Sequence, residues 1–159
     1  MLDLRYVAGL FDGEGYVRIN EWRKPNSTHV RFNIFMGINM THRPIIEALH
    51  RQFGGYFQVS RHDLRMPTHR ALYAWIISSD RAAKFLRRIL PYCRVKRAEI
   101  RVALKLQDHI AKHRYKRGRQ LRSNPRREAL LAYRRKLAAE ISALKRVRFS
   151  TTIDRGPMN

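Results

Sequence analysis

Residues 7–15 read Val7-Ala8-Gly9-Leu10-Phe11-Asp12-Gly13-Glu14-Gly15, two acids and three glycines closing a short apolar helix. A helix C-terminus already carries partial negative charge, so Asp12 and Glu14 stand where the dipole disfavours them. Three glycines in so short a run weaken the helix relative to alanine. A sequence that accepts both penalties in one place points to a site. Glycines permit close backbone approach, and an exposed carboxylate beside free carbonyl oxygens suits a hard divalent cation. The helix also has two unlike sides. Tyr6, Val7, Leu10 and Phe11 form a bulky apolar side, and Ala8, Gly9 and Gly13 a small one. Such a helix can pack on its own sheet and, at close range, on a second helix.

The pattern along the chain predicts α+β order. Asp3 caps a helix over Leu4 to Asp12. Gly15 turns the chain into a strand from Tyr16 to Trp22, with Val17 and Ile19 on one face and Tyr16, Arg18, Asn20 and Trp22 on the other. Lys24-Pro25-Asn26-Ser27 reads as a turn. A second strand spans Val30 to Asn39, with Val30, Phe32, Ile34, Met36 and Ile38 on one face and Arg31, Asn33 and Asn39 on the other. Thr41 to Phe53 is a helix with Pro44 in its first turn, ended by Gly54-Gly55. Strands follow at Tyr56 to His62 and Arg70 to Ser78, joined by a loop containing Pro67. Trp75 and Tyr73 read as core or sheet-packing residues. Asp80 caps a helix from Arg81 to Leu90, stopped by Pro91. Another helix spans Val95 to Lys112, Tyr115 to Ser123 is a basic loop, and Asn124-Pro125 starts a last helix to Arg146.

The expected fold is αββαββα: a four-stranded antiparallel, saddle-like sheet with helices on one face, plus extra C-terminal helices. In domain terms, residues 1–112 form the core, 113–146 a basic helical extension of it, and 147–159 a flexible tail.

Composition narrows the partner. The formal net charge is +22 with a pI near 11.4, which calls for a polyanion. Residues 1–80 hold 10 Lys/Arg against 7 Asp/Glu, and residues 81–159 hold 24 against 5. The charge is therefore concentrated in the C-terminal half. Arginine far outnumbers lysine, and its fork suits phosphates and bases. An uncovered sheet face lined by polar, basic and aromatic side chains has the shape that enters a DNA major groove. Cys93 is the sole cysteine, so a disulfide or a thiolate zinc site within the chain is excluded, and a reducing compartment fits. No signal peptide and no bilayer-spanning apolar stretch is expected. His109 and His113 have i, i+4 spacing without the acid of a zinc-peptidase pattern; with His62 and His69 they read as surface or phosphate contacts.

The run 7–15 resembles the LAGLIDADG motif of homing endonucleases. Alanine, the first glycine, leucine, the first aspartate and the last glycine match. Val7 and Phe11 are apolar replacements, Gly13 replaces alanine, and Glu14 replaces the second aspartate. By motif and element order the resemblance extends from Leu4 to Lys105. It implies a site-specific, metal-dependent endodeoxyribonuclease that cuts both strands of a long, near-palindromic target and initiates intron or intein mobility. The motif occurs once, and single-motif members act as homodimers whose motif helices pack through their small faces, here Ala8, Gly9 and Gly13, with Asp12 beside them at the helix junction as a structural acid.

The resemblance places catalytic roles on Glu14, Lys96, Asn39 and Arg43. Glu14 and the Gly13 carbonyl would be metal ligands, with Mg2+ the expected ion. Asn39 stands where the family has a polar residue that orients water, Arg43 where it has a cation near the cleaved phosphate, and Lys96 where a lysine supports the water or developing charge. Asn39 is equally placed to cap the following helix, and Arg43 and Lys96 could be solvated cations of a basic protein. The DNA face would carry Tyr16, Arg18, Asn20, Trp22, Lys24, Arg31, Asn33, Gln58, Ser60, His62 and Arg70. Expected partners are double-stranded DNA and a second copy, with no membrane and no small-molecule substrate, inside a prokaryotic cell or an organelle. The alternatives are an RNA-binding intron maturase, which need not keep the metal site, and a non-catalytic basic nucleic-acid-binding protein, which leaves the acidic helix end unexplained.

Overall fold

The computed structural model describes residues 1–23, 25, 29–60, 71–113 and 125–150. Helix α1 (Leu4–Glu14) starts at Asp3, whose carboxylate accepts from the backbone of Arg5 at 2.7 Å and Tyr6 at 3.3 Å. Strands β1 (Gly15–Arg23) and β2 (Val30–Met40) follow, then α2 (Arg43–Phe53), β3 (Tyr56–Ser60), β4 (Leu72–Ser78), α3 (Ser79–Ile89), α4 (Arg97–Lys112) and α5 (Pro125–Ser150). The sheet is antiparallel in the order β1-β2-β4-β3. This is the expected αββαββα arrangement with further C-terminal helix.

The strand pattern sorts the two sheet faces. Val17, Phe32, Ile34, Met36, Ile38, Trp75 and Ile77 are buried under the helices. They pack with Val7, Ala8 and Phe11 of α1, Ile46 and Leu49 of α2, Phe85 and Leu86 of α3 and Ile100 and Leu106 of α4 in one core. Phe85 meets Phe11, Phe53 and Trp75 with ring centroids 6.2, 5.0 and 4.9 Å away. The Trp75 indole N–H, which would otherwise be stranded in that core, donates to the Gly54 carbonyl at 2.7 Å. No helix among the described residues is long and apolar enough to cross a membrane.

Glycines close two junctions. Gly54 and Gly55 have φ of +67° and +99°, and a Cβ on Gly55 would lie 2.2 Å from Ile77 Cγ2, so the α2–β3 turn tolerates no side chain. Gly15 is extended, the first residue of β1, and is required by proximity: its Cβ would stand 2.3 Å from Phe11 Cδ2.

Several boundaries and faces differ from expectation. Ala8 is fully buried and faces the core, while Tyr6 is 48% exposed. The buried stripe of α1 is Val7, Ala8 and Phe11 because the sheet and α3 approach from that side; Ala8 is not part of the small exposed face. Asp80 is not a cap. It lies in the first turn of α3 and accepts from Gln107 of α4. Helix α5 continues to Ser150, past the expected end at 146. His109 packs between α4 and α5, its ring 4.6 Å from those of both His113 and Tyr133, instead of standing free at the surface. Lys24, the expected strand ends and loop between 61 and 70 with His62, His69 and Arg70, the basic loop 115–123 and residues 151–159 lie outside the described residues.

Candidate active site

The end of α1 is tied to the start of α4, more than eighty residues later. The Asp12 carboxylate accepts from the backbone N–H groups of Arg94 at 2.6 Å, Val95 at 3.1 Å and Lys96 at 2.9 Å. These groups precede the first turn of α4 and would otherwise lack acceptors. Partial burial raises the Asp12 pKa, but the donors from Arg94, Lys96 and Val95 outweigh it and hold the carboxyl below its ordinary range. The acid that looked misplaced at a helix C-terminus is thus serving a second helix's approach. Its carboxylate is engaged inside the chain by these three N–H groups.

Lys96 returns the tie. It is 4% exposed, and its ammonium donates to the Asp12 carbonyl oxygen and, at 3.5 Å, to that of Gly13. A cation there satisfies terminal carbonyls and complements the negative helix end. Cys93 packs behind them, its Sγ 3.9 Å from the Ala8 carbonyl oxygen; burial, with Asp12 nearby, pushes its pKa to about 12, so it stays a neutral thiol.

Glu14 is the last residue of α1 and is exposed. Gly15 pairs with Ile38, so Glu14 and Asn39 each stand one residue beyond the same register point, at one end of the sheet. The Asn39 Oδ1 atom is buried with no hydrogen-bond partner among the described residues, an acceptor that a water or a phosphate-bound group would satisfy. Arg43 is exposed and tied to Glu47 one turn on, Nε to Oε1 at 2.6 Å. It lies 5.9 Å from the Tyr73 ring centroid and 6.0 Å from that of Phe57. The structure therefore joins Asp12, Gly13 and Lys96 directly, sets Asn39 beside the end of α1, and pairs Arg43 with Glu47.

A cavity of about 530 Å³ opens at this end of α1, lined by Asp12, Gly13, Gly15, Tyr16, Val17, Val95, Lys96, Glu99 and Lys145. Two of these residues escaped the sequence reading. Glu99 is 4% exposed and sits one turn after Lys96, so α4 brings a buried acid to the same cavity. Lys145 arrives from α5. The i, i+3 spacing of Lys96 and Glu99 was legible; the contribution of α5 was not.

On the outer side of α1, Gly9 and Gly13 are exposed, and a Cβ on either would meet nothing within 4 Å among the described residues. The uncovered sheet face carries Tyr16, Arg18, Asn20 and Trp22 on β1, opposite Gly37, Phe35, Asn33 and Arg31 of β2. Gln58 shares that face on β3 through Ala74 and Asn39, and the Ser60 backbone stands opposite Leu72. Burial raises the Tyr16 pKa against the opposing effect of Arg18. Phe35, in the middle of this face, is another residue the polar-face reading passed over.

No protein-family model matches the chain, and no curated protein matches it. Solved structures do. The chain is similar to the homing endonuclease I-CvuI in complex with its target in the presence of calcium, at 16% identity over 89% of this chain and 80% of that one, TM-score 0.68. It is similar to the archaeal intron-encoded homing endonuclease I-Vdi141I complexed with DNA, at 16% identity over 89% and 82%, TM-score 0.66. It is also similar to the homing endonuclease I-TnaI, at 17% identity over 94% and 97%, TM-score 0.61. Five helices around a four-stranded antiparallel sheet, with one face of the sheet open, are the fold of the LAGLIDADG homing endonucleases.

Proposed function

We propose that the chain is a homodimeric, metal-dependent, site-specific DNA endonuclease that cuts both strands of a long, near-palindromic duplex. The observation that carries this reading is the exposed Glu14 carboxylate at the end of a helix whose outer glycines have open space beside them. Helix glycines destabilise by about 1 kcal/mol relative to alanine. Among the described residues nothing needs Gly9 or Gly13 to be bare, so a closely approaching second helix supplies the reason. A two-fold contact there places two Glu14 carboxylates side by side.

The residues fit a hard divalent cation. Glu14 and the Gly13 carbonyl are oxygen donors, the set that Mg2+ prefers. Among the described residues no group of three or more His, Cys, Asp or Glu could hold a metal. The two-fold contact would bring the Glu14 and Gly13 of a second copy to the same place. A bound cation would activate water and stabilise the leaving oxygen of the phosphodiester. Lys96 holds positive charge against the end of α1, where charge develops on the cleaved phosphate. The unpartnered Asn39 Oδ1 can accept from a water and orient it. Arg43 acts on the phosphate only after leaving Glu47, an exposed partner worth little. Residues 1–112 serve as the nuclease core, and α5 as its basic extension. The sheet face from Tyr16 to Trp22, with Arg31, Asn33 and Gln58, reads bases.

The test is incubation of the purified protein with magnesium and a plasmid library of randomised inserts, followed by sequencing of the cut ends. Double-strand breaks within a single near-palindromic consensus support the reading. Absence of magnesium-dependent cutting, or nicking without sequence preference, overturns it.

A further inference from the structure

Phe35 is an aromatic ring on the open face of the sheet, which also carries Trp22 of β1 and Leu72 and Ile76 of β4. Its strand neighbours Ile34 and Met36 are buried on the covered side, so a purely structural ring would be better placed one residue away. It stands directly across from Arg18 in the β1–β2 register. The Arg18 guanidinium carbon lies over the Phe35 ring, 4.4 Å from its centroid. From the adjacent β1 position on the same face, the Tyr16 ring stacks on Phe35 at 6.2 Å and 24°. Tyr16 lies flat because Gly37 is bare: a Cβ there would come within 2.8 Å of the tyrosine hydroxyl. The three side chains form one stack on the sheet surface. Among the described residues no carboxylate pairs with Arg18.

Arginine is a flexible side chain, and freezing it on binding costs rotamer entropy. A ring beneath a guanidinium holds its plane without occupying its donors, which point outward from the edge of that plane. An unpaired guanidinium held flat in a major groove offers two parallel N–H groups. Guanine is the base whose major-groove edge presents two acceptors, O6 and N7, to such a fork. We propose that Phe35 is a positioning residue that presents Arg18 to one guanine in each half of the target. This rests on the reading of the open sheet face as a DNA-binding surface.

The test begins by selecting a preferred duplex from a randomised library in calcium, which permits binding without cutting. Dissociation constants are then measured for that duplex, for single base-pair replacements and for random duplex. The proteins compared are the unmodified chain, Arg18→Ala, Phe35→Leu and Phe35→Tyr. Arg18→Ala should lose discrimination at one symmetric pair of guanines, by roughly 5- to 150-fold, the range of a good bidentate contact. Phe35→Leu, which keeps bulk and loses the ring, should lose several-fold at that same position and leave other positions and random-duplex affinity unchanged. Phe35→Tyr should restore the profile. Full discrimination in Phe35→Leu, loss spread over every position, or an Arg18-dependent base other than guanine overturns the proposal while leaving DNA binding intact. A protein that binds no duplex overturns both this inference and the reading on which it rests.

Discussion

At the end of α1, three backbone N–H groups converge on the Asp12 carboxylate, and the Lys96 ammonium closes on the neighbouring carbonyls. On α5, Arg135 meets Glu21 of β1 across an exposed surface, Nη2 to Oε1 at 2.8 Å. Both contacts join segments distant in sequence, the first by hydrogen bonds between charged side chains and backbone groups, the second by an ion pair. The first is partly buried and directional, so each atom has few alternatives. The second is solvated at both ends, and either side chain can exchange its partner for water. The α1 region therefore fixes geometry. Helix α5, held by Leu131, Leu137 and Ile141, supplies a surface dense in cations whose individual positions matter less.

The largest effect should come from Asp12→Ala. It leaves the donors of Arg94, Val95 and Lys96 without their acceptor, so denaturant unfolding should show a loss on the order of 3 kcal/mol. The folded-state pKa of Asp12 is lowered, so its stabilisation is present above the ordinary carboxylate range and disappears as pH falls through the lowered value. The gap between unmodified and Asp12→Ala midpoints should close at strongly acidic pH and stay constant above about pH 5. A gap independent of pH down to the acid limit would mean that the charge of Asp12 is not what holds the turn.

Gly9→Leu should act in the opposite sense on fold and on assembly. The open space around Gly9 accommodates a side chain, and leucine is the better helix former, so each chain should gain up to about 1 kcal/mol. Assembly should be lost, with sedimentation showing a monomer where the unmodified protein sediments as a dimer. An unmodified protein that stays monomeric with and without DNA would remove the two-fold site altogether.

Substitutions on α5 should be smaller and of a different kind. Replacing the exposed Lys136 and Arg146 with alanine should weaken binding to cognate and random duplex alike. It should also flatten the salt dependence, by about 0.9 in log–log slope for each phosphate that the protein ceases to neutralise. Arg135→Ala should cost far less stability than Asp12→Ala, and less still in high salt. If it destabilised the chain as much as Asp12→Ala, the contrast between a fixed region and a charge-rich one would fail.

Much of the sheet was legible because alternation is a local signal. Val17 and Ile19, and Phe32 to Ile38, each declare a buried face within a few residues. The Gly54-Gly55 turn is equally local, since positive φ leaves few choices. What escaped depends on partners far away in the chain. Ala8 is as small as its glycine neighbours, and only the approach of the sheet and α3 decides that it faces inward. The role of Asp12 requires residues 94–96, and the burial of Glu99 and the arrival of Lys145 require knowing where α4 and α5 dock. Glu14 drew attention as an acid at a helix C-terminus, and the motif's resemblance assigned roles to it, to Gly13 and to Lys96. The structure adds that Lys96 reaches the carbonyls at the end of α1, and that Arg43 pairs with Glu47.

The central claim is that Glu14, and not Asp12, is the acid that works on DNA. Glu14→Gln keeps the shape of an exposed side chain and removes the charge that pairs with a divalent cation. The decisive measurement is duplex binding in calcium and cleavage in magnesium, on the same Glu14→Gln preparation and the same selected target. Binding should be as tight as for the unmodified protein or tighter, since like charges across the two-fold axis are gone, while cutting of both strands falls by orders of magnitude. A Glu14→Gln protein that binds and still cuts both strands at a near-normal rate would contradict the assignment and leave the end of α1 as a packing element alone.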